Sequence, residues 1–458
     1  MNAAVPKPVL DRDVHDRAFL AFASWVFFLG LLFVLRTPPR IYPDTFGYTN
    51  MRVWWSMGHG FLGALQQGLA NRPIATQLLF WLVPSNKAVQ ILFFVLSFAS
   101  WTYFATVARS ALVHPGLRFL AGALICVSAV GSWSLAFNNA ILPESLAMSV
   151  TVVQTASVIS HALQPRRTSL LVFMLASLIG AFTTTSLAFL APAVAPLFAM
   201  RRERIRTAVA LTLYALALLL ASSNLLHHDA PANFDMVVKD NVFGRMAHDR
   251  LGRSLLISKG FPAADLDGGC TRSFDYLGPD LEGHLNDAPL YPCRVGSGAT
   301  RWIQASGSST YMEWLLRGSG ARILQFLRAG LPSLLSSAQD VRTMTGMDST
   351  PLWRVLQQAA PIGDARISAL LLLLVLLLRL RAPGTTAHAP GPRIGLLLAL
   401  LCGAELSNVF IAYWGDTSDI LRHCIHPLTA LQATLCLACF YRIDAWSRRH
   451  NPAHGLRV

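Results

Sequence analysis

Outside one large loop, four carboxylates stand at the ends of the chain's apolar segments on one side: Asp44, Glu144, Asp416 and Asp419. Asp44 lies in RIYPDTFGYTN, just past the first long apolar run. Pro43 biases Tyr42 toward an extended backbone. The following TFGYTNMRVWWSMGHG is rich in Phe, Tyr and Trp, and fits an interfacial helix with its rings at headgroup level. Asp44 either caps that helix or acts at the water–lipid boundary as a general base for an attacking hydroxyl. The two roles are compatible.

Glu144 sits in FNNAILPESLAMSV. Pro143 and Glu144 read as the first turn of a helix, where a negative charge suits the helix dipole. An ionisable group beside so much apolar sequence is also a functional candidate. The third group is cationic. YWGDTSDILRHCIHPL carries Arg422, His423 and His426 at the start of the final apolar segment. Arg422 and His426 are four apart and share a helix face. The Arg fork matches phosphate oxygens, so the pair suits a phosphate or diphosphate. The plainer alternative is an Arg422 that snorkels to the interface and pairs with Asp419. Glu405, in CGAELSNVF, falls well inside an apolar segment, and a structural hydrogen bond is its preferred reading.

What must position these residues is a membrane bundle. The 458 residues are 53% hydrophobic and only 14% charged, against about 25% charged in soluble domains. Mean hydropathy is +0.45. Apolar runs of roughly 16–25 residues recur, each long enough to cross the hydrocarbon as a helix. The expected fold is an all-α polytopic membrane protein with about 9–11 transmembrane helices, interfacial helices and one large external loop. The predicted spans are 18–35, 88–108, 119–137, 140–162, 169–200, 207–226, 367–381, 394–413 and 421–441. The 169–200 segment is too long for one crossing. Thr183 to Ser186 and two prolines interrupt it, so it reads as a broken pair that goes out and returns. Pro73 to Pro84 is too short to span and reads as re-entrant. The first run lacks a small-x-small cleavage site and reads as a retained helix.

With the N-terminus inside, the inside segments hold 18 of the 38 lysines and arginines against five acids. That is the positive-inside pattern. The net charge of +14 then reflects orientation and anionic membrane lipids, and nucleic acid is not a partner. Three regions follow: an N-terminal membrane module, 1–226, holding the first external loop, 36–87; a large external loop, 227–366; and C-terminal helices with a basic tail, 367–458. The large loop has 14 basic and 14 acidic residues and turn-rich pieces. Within it, Tyr311 to Ser337 alternates apolar and basic residues at helical spacing, which suggests amphipathic helices at the membrane surface.

Of seven cysteines, Cys126, Cys402, Cys424, Cys436 and Cys439 fall in predicted helices and read as small apolar residues. Cys270 and Cys293 share the large loop and form a plausible disulfide in an oxidising compartment.

The order of these features resembles the GT-C superfamily, membrane glycosyltransferases that take a sugar from a polyprenyl-phosphate donor. The residues that carry the resemblance are YPDTFGY after the first helix, NRPIATQLLFWLVP, ILPESLAMS, the broken GAFTTTSLAFLAPAV hairpin and the late RHCIHPL. Many members carry two adjacent acids in the first loop, whereas Thr45 follows Asp44 here. No metal or other cofactor is therefore indicated, although a divalent ion remains compatible.

The resemblance implies a catalytic pair, Asp44 as base and Glu144 as acceptor-positioning group. It implies that Arg422, His423, His426, Tyr48 and Arg72 hold the donor phosphate. The partners would be a polyprenyl-phosphate-linked sugar and a glycan, lipid or protein acceptor. The setting would be a bacterial inner membrane, both termini cytoplasmic and the large loop periplasmic. Two alternatives stay open. An O-antigen polymerase or ligase would lean on large-loop arginines such as Arg245, Arg250 and Arg253. A transporter or lipid flippase would rely on ionisable groups near mid-membrane.

Overall fold

The computed structural model describes residues 9–41, 51–69, 74–83, 85–200, 205–229, 238, 241–267, 297–336, 391–415 and 420–450. Among these, every extended element is a helix. The helices used below are α1 (Val9–Arg36), α2 (Phe61–Leu69), α3 (Ile74–Leu82), α4 (Asn86–Ser110), α5 (Pro115–Val127), α6 (Ser132–Asn139), α7 (Glu144–Leu163), α8 (Arg167–Ala181), α9 (Thr185–Val194), α10 (Ile205–Asp229), α11 (Arg250–Ser258), α12 (Ser308–Arg317), α13 (Ser319–Gln325), α14 (Gly391–Gly415) and α15 (Ile420–His450).

Seven helical stretches among the described residues are long and apolar enough to cross a membrane: Val14–Arg36, Asn86–Ser110, Pro115–Asn139, Glu144–Leu163, Ile205–Ser222, Ile394–Gly415 and His423–Arg448. The chain is thus an all-α polytopic membrane protein. The 169–200 segment is two shorter helices, α8 and α9. They part at Phe182–Thr184, where the Thr183 amide closes back on the Gly180 carbonyl. The predicted 367–381 span and the Cys270–Cys293 pair lie outside the described residues.

The bundle is sorted by side-chain character. α7 is its central helix. Its sequence ESLAMSVTVVQTASVISHAL is rich in Ala, Ser and Thr, and it is buried nearly all round. Small residues let helices approach closely where lipid supplies no hydrophobic drive between them. α4, α8 and α15 pack on it. Peripheral helices instead expose large apolar side chains, such as Leu20, Trp25 and Phe28 of α1, and Val209, Leu213 and Leu220 of α10. These suit the lipid boundary. One close approach requires a glycine. A Cβ on Gly30 of α1 would lie 2.6 Å from the Phe94 ring and 2.7 Å from Val130.

Polar pins hold one end of the bundle. Asp444 of α15 is buried and accepts from the His114 amide (2.8 Å) and the Val113 amide (3.2 Å) in the turn between α4 and α5. Arg109 pairs with Asp16 and lies over the Phe19 ring at 4.1 Å.

The opposite end carries residues 36–41, 51–69 and 74–83 and is called the first-loop end. Here α3 starts on the α8–α9 break, with the Ala75 amide donating to Phe182 O at 2.9 Å. Parts of the large loop form a second small core at this end. It gathers Phe243, Leu256, Phe261, Ile303, Tyr311 and Trp314, and Trp414 from the tip of α14 joins it. The helix begun by α13 continues to Ser336 and carries a buried stripe of Arg322, Phe326, Gly330 and Leu334. This buried stripe at spacing four brings Phe326 onto Phe410 and Tyr413.

Candidate functional site at the first-loop end

Two proline-marked segments meet beside the start of α7. Pro38 and Pro39 end α1, because proline lacks an amide and disfavours helix in the residue before it. The chain leaves extended, and the Arg40 amide donates to Asn139 O at 3.0 Å. The Ile141 amide in turn donates to Arg40 O at 3.0 Å. This parallel bridge joins the base of the first loop to the segment leading into α7.

α4 locks the bridge from the side. Lys87 Nζ donates to the carbonyls of Val34 and Thr37, the latter at 2.7 Å. Gln90 Nε2 donates to Thr37 O at 3.1 Å and to Asn139 Oδ1. The last carbonyls of a helix have no partner within it and carry partial negative charge, so a lysine is well suited to close α1. Asn138 Oδ1 accepts from Ser145 Oγ, which fastens α6 to the first turn of α7.

Glu144 opens α7 directly after Pro143, and is 2% exposed. The predicted span 140–162 therefore begins at 144, since residues 140–143 belong to the bridge and the proline turn. The start of α15 lies alongside. Thr429 Oγ1 contacts Met148 Sδ at 3.7 Å, and Thr155 and Thr434 meet the same carboxyl deeper in the bundle. These two crossings carry the same sequence offset to within two residues, so α7 and α15 run parallel. Met148 is one turn below Glu144, and Thr429 is one turn below His426. Glu144 and His426 accordingly occupy the same level on neighbouring helices.

His426 is 1% exposed and His423 is half-buried. Pro427 has no amide, so the ladder bond to the residue 423 carbonyl is not made. Arg422 is in the first turn of α15, but its side chain lies outside the described residues, as do Asp44, Tyr48, Arg72, Asp416 and Asp419. The described chain stops at Ile41, three residues before Asp44. Of the residues singled out in the sequence, Glu144, His423 and His426 thus share the first-loop end with the base of the Asp44 loop. Among the described residues, no group of three or more His, Cys, Asp or Glu is arranged to hold a metal ion.

The large loop contributes an aromatic and charged joint at this end that sequence reasoning missed. Asp249 Oδ2 accepts from the Gly252 amide (2.9 Å), Trp314 Nε1 (2.6 Å) and Arg322 Nη2 (2.7 Å). Burial pushes the Asp249 carboxyl up, but these three donors and the arginine charge outweigh it and hold it below its ordinary value. Arg322 stacks over Trp314 at 3.9 Å, and Arg245 over Tyr413 and Trp414 at 4.8 Å each. Asn241 Nδ2 donates to Gly415 O at 2.9 Å, and the Tyr311 hydroxyl to Trp414 O. The only sequence signal was Asp249 three residues before Gly252, an N-cap pattern.

No protein family model matches the chain, and no curated protein and no solved structure is significantly similar to it.

Proposed function

We propose that the chain is an integral membrane glycosyltransferase of the GT-C type. It moves a sugar from a polyprenyl-phosphate donor to an acceptor at the periplasmic face of a bacterial inner membrane. The observation that carries the reading is the pairing of Arg40 with Ile141 beside the level pair Glu144 and His426. Asp44 follows Ile41 by three residues, a span of at most about 11 Å of chain. The first-loop carboxylate therefore starts from the bridge that leads into Glu144.

In the proposed reaction the acceptor hydroxyl oxygen attacks the anomeric carbon. The bond from that carbon to the phosphate oxygen breaks, and the phosphate leaves with the electron pair. Asp44 takes the hydroxyl proton. Glu144 orients the acceptor. Arg422, with His423 or His426, stabilises the charge on the departing phosphate, and Tyr48 and Arg72 complete the donor contacts. A single displacement inverts the anomeric centre. The positive-inside charge pattern supports the periplasmic orientation.

The ligase-type alternative needs loop arginines directed at substrate. Of the arginines named for it, Arg245 packs over two rings, while Arg250 is exposed. Reconstituted protein with lipid-phosphate sugar and acceptor tests the reading. Asp44→Asn should slow transfer about 10²–10⁴-fold at unchanged expression. Transfer at the wild-type rate would remove Asp44 from the role of base.

A further inference from the structure

Glu405, midway along α14, is 0% exposed. Its Oε1 accepts from Thr155 Oγ1 of α7 at 2.9 Å and from Thr434 Oγ1 of α15 at 3.1 Å. Its Oε2 has no hydrogen-bond partner. One turn further on, Asn408 is 2% exposed, and neither its Oδ1 nor its Nδ2 has a hydrogen-bond partner. Residues three apart on a helix have their Cβ atoms about 5–6 Å apart, so these two side chains stand over one stretch of the bundle interior.

Among the described residues, no base answers the carboxyl from α7, α9 or α15, which pack on α14. From Ile394 to Gly415, α14 has no second charge. α9 has none, α7 has none between Glu144 and His161, and α15 has none between His426 and Arg442. The nearby ionisable groups are the thiols of Cys402, Cys436 and Cys439.

Two deficits therefore coincide. An uncompensated buried charge is strongly destabilising, and a buried amide left without partners loses its hydration with nothing in return. A proton on Oε2 removes only the first. A cation touching both Oε2 and Asn408 Oδ1 removes the first and satisfies the amide oxygen. An all-oxygen donor set suits a hard cation, and one carboxylate balances one positive charge.

We propose that Glu405, Asn408, Thr155 and Thr434 bind one monovalent metal cation, in exchange with a proton. As the cation binds, the carboxylic acid releases its proton to water, and the net charge of the site stays zero. Each threonine keeps its hydroxyl hydrogen on Oε1 and offers the oxygen lone pair to the cation. The bound ion then ties α7, α14 and α15 together. This goes beyond the transferase reading and does not depend on it.

Dicyclohexylcarbodiimide tests the proposal, because it modifies protonated carboxyls in apolar surroundings. The full-length protein in detergent is labelled in choline chloride, NaCl or KCl, and the modified residue is read by peptide mass spectrometry. Glu405 should label in choline. Either Na+ or K+ at ten times its dissociation constant should slow labelling about tenfold by competition, with stronger protection at higher pH. Asn408→Ala should keep the labelling but demand more cation for protection. In Glu405→Gln the cation-dependent rise in melting temperature should vanish. Labelling indifferent to both cations, or no labelling of Glu405 in choline, overturns the proposal.

Discussion

The carbonyl of Arg40 accepts a 3.0 Å hydrogen bond from the Ile141 amide. The segments that lead to Asp44 and to Glu144 are thus joined at paired residues, Arg40 four positions before Asp44 and Ile141 three positions before Glu144. Four side chains or segments maintain that pairing: the two prolines after α1, Lys87, Gln90 and Asn139.

Gln90→Ala removes the side chain that joins Thr37 and Asn139. It leaves a buried carbonyl and a buried amide oxygen without that donor, which costs about 1–3 kcal/mol. The melting temperature in detergent should fall. Sugar transfer should fall further than the unfolded fraction explains, because the base of the Asp44 loop is released. Gln90→Glu, which cannot donate, should behave like the alanine variant.

Gly30→Leu forces a side chain into the space of Phe94 and Val130. Overpacking of this kind costs about 1–3 kcal/mol. Thermal unfolding should register it, whereas Leu20→Ala on the exposed face of the same helix should change stability much less.

Asp249 gives the large-loop joint an acid limit. Its carboxyl is held below the ordinary value of 3.8. A depressed carboxyl contributes stability above its unfolded value and loses it as pH falls through the folded one. The joint should therefore hold at neutral pH and loosen only below about pH 4. Proteolysis between α11 and α12 with an acid-active protease should increase in that range. Asp249→Asn should be cleaved at every pH and show less of this dependence.

Truncation at Trp314 separates packing from charge in the same joint. Trp314→Phe keeps a ring under Arg322 but removes the Nε1 donor to Asp249. It should destabilise the loop by about 1 kcal/mol, less than Trp314→Ala at about 3–5 kcal/mol, as read by hydrogen exchange over 250–258.

Hydropathy made the helices legible because each crossing must be apolar and long enough for the hydrocarbon. The spans at 88–108 and 394–413 match α4 and α14 apart from two or three end residues, and the 18–35 span falls within α1, which starts nine residues earlier. The break near Thr183 was legible from its residue types. Helix ends were less so. α15 runs to His450, beyond the predicted 441, because helix continues into polar sequence that hydropathy does not score. The start of α7 at Glu144 and the structural bonds of Glu405 to two threonines agree with the residue-level reading. The Arg40–Ile141 pairing was not legible, since it joins positions 101 residues apart through backbone groups that every residue has. Gln90 and Lys87 read only as polar residues at a helix start. Asp249, Trp314 and Arg322 were scattered over 73 residues with no spacing rule to unite them.

The proposed activity is sugar transfer from a lipid-phosphate donor, with Asp44 as base. Mass spectrometry of envelope glycans, glycolipids and glycoproteins tests it most directly, comparing cells with the protein, cells without it, and cells with Asp44→Asn at equal protein level. One glycan should lose one sugar when the protein is absent, and the Asp44→Asn cells should show the same loss. Identical glycans in all three would rule out this activity.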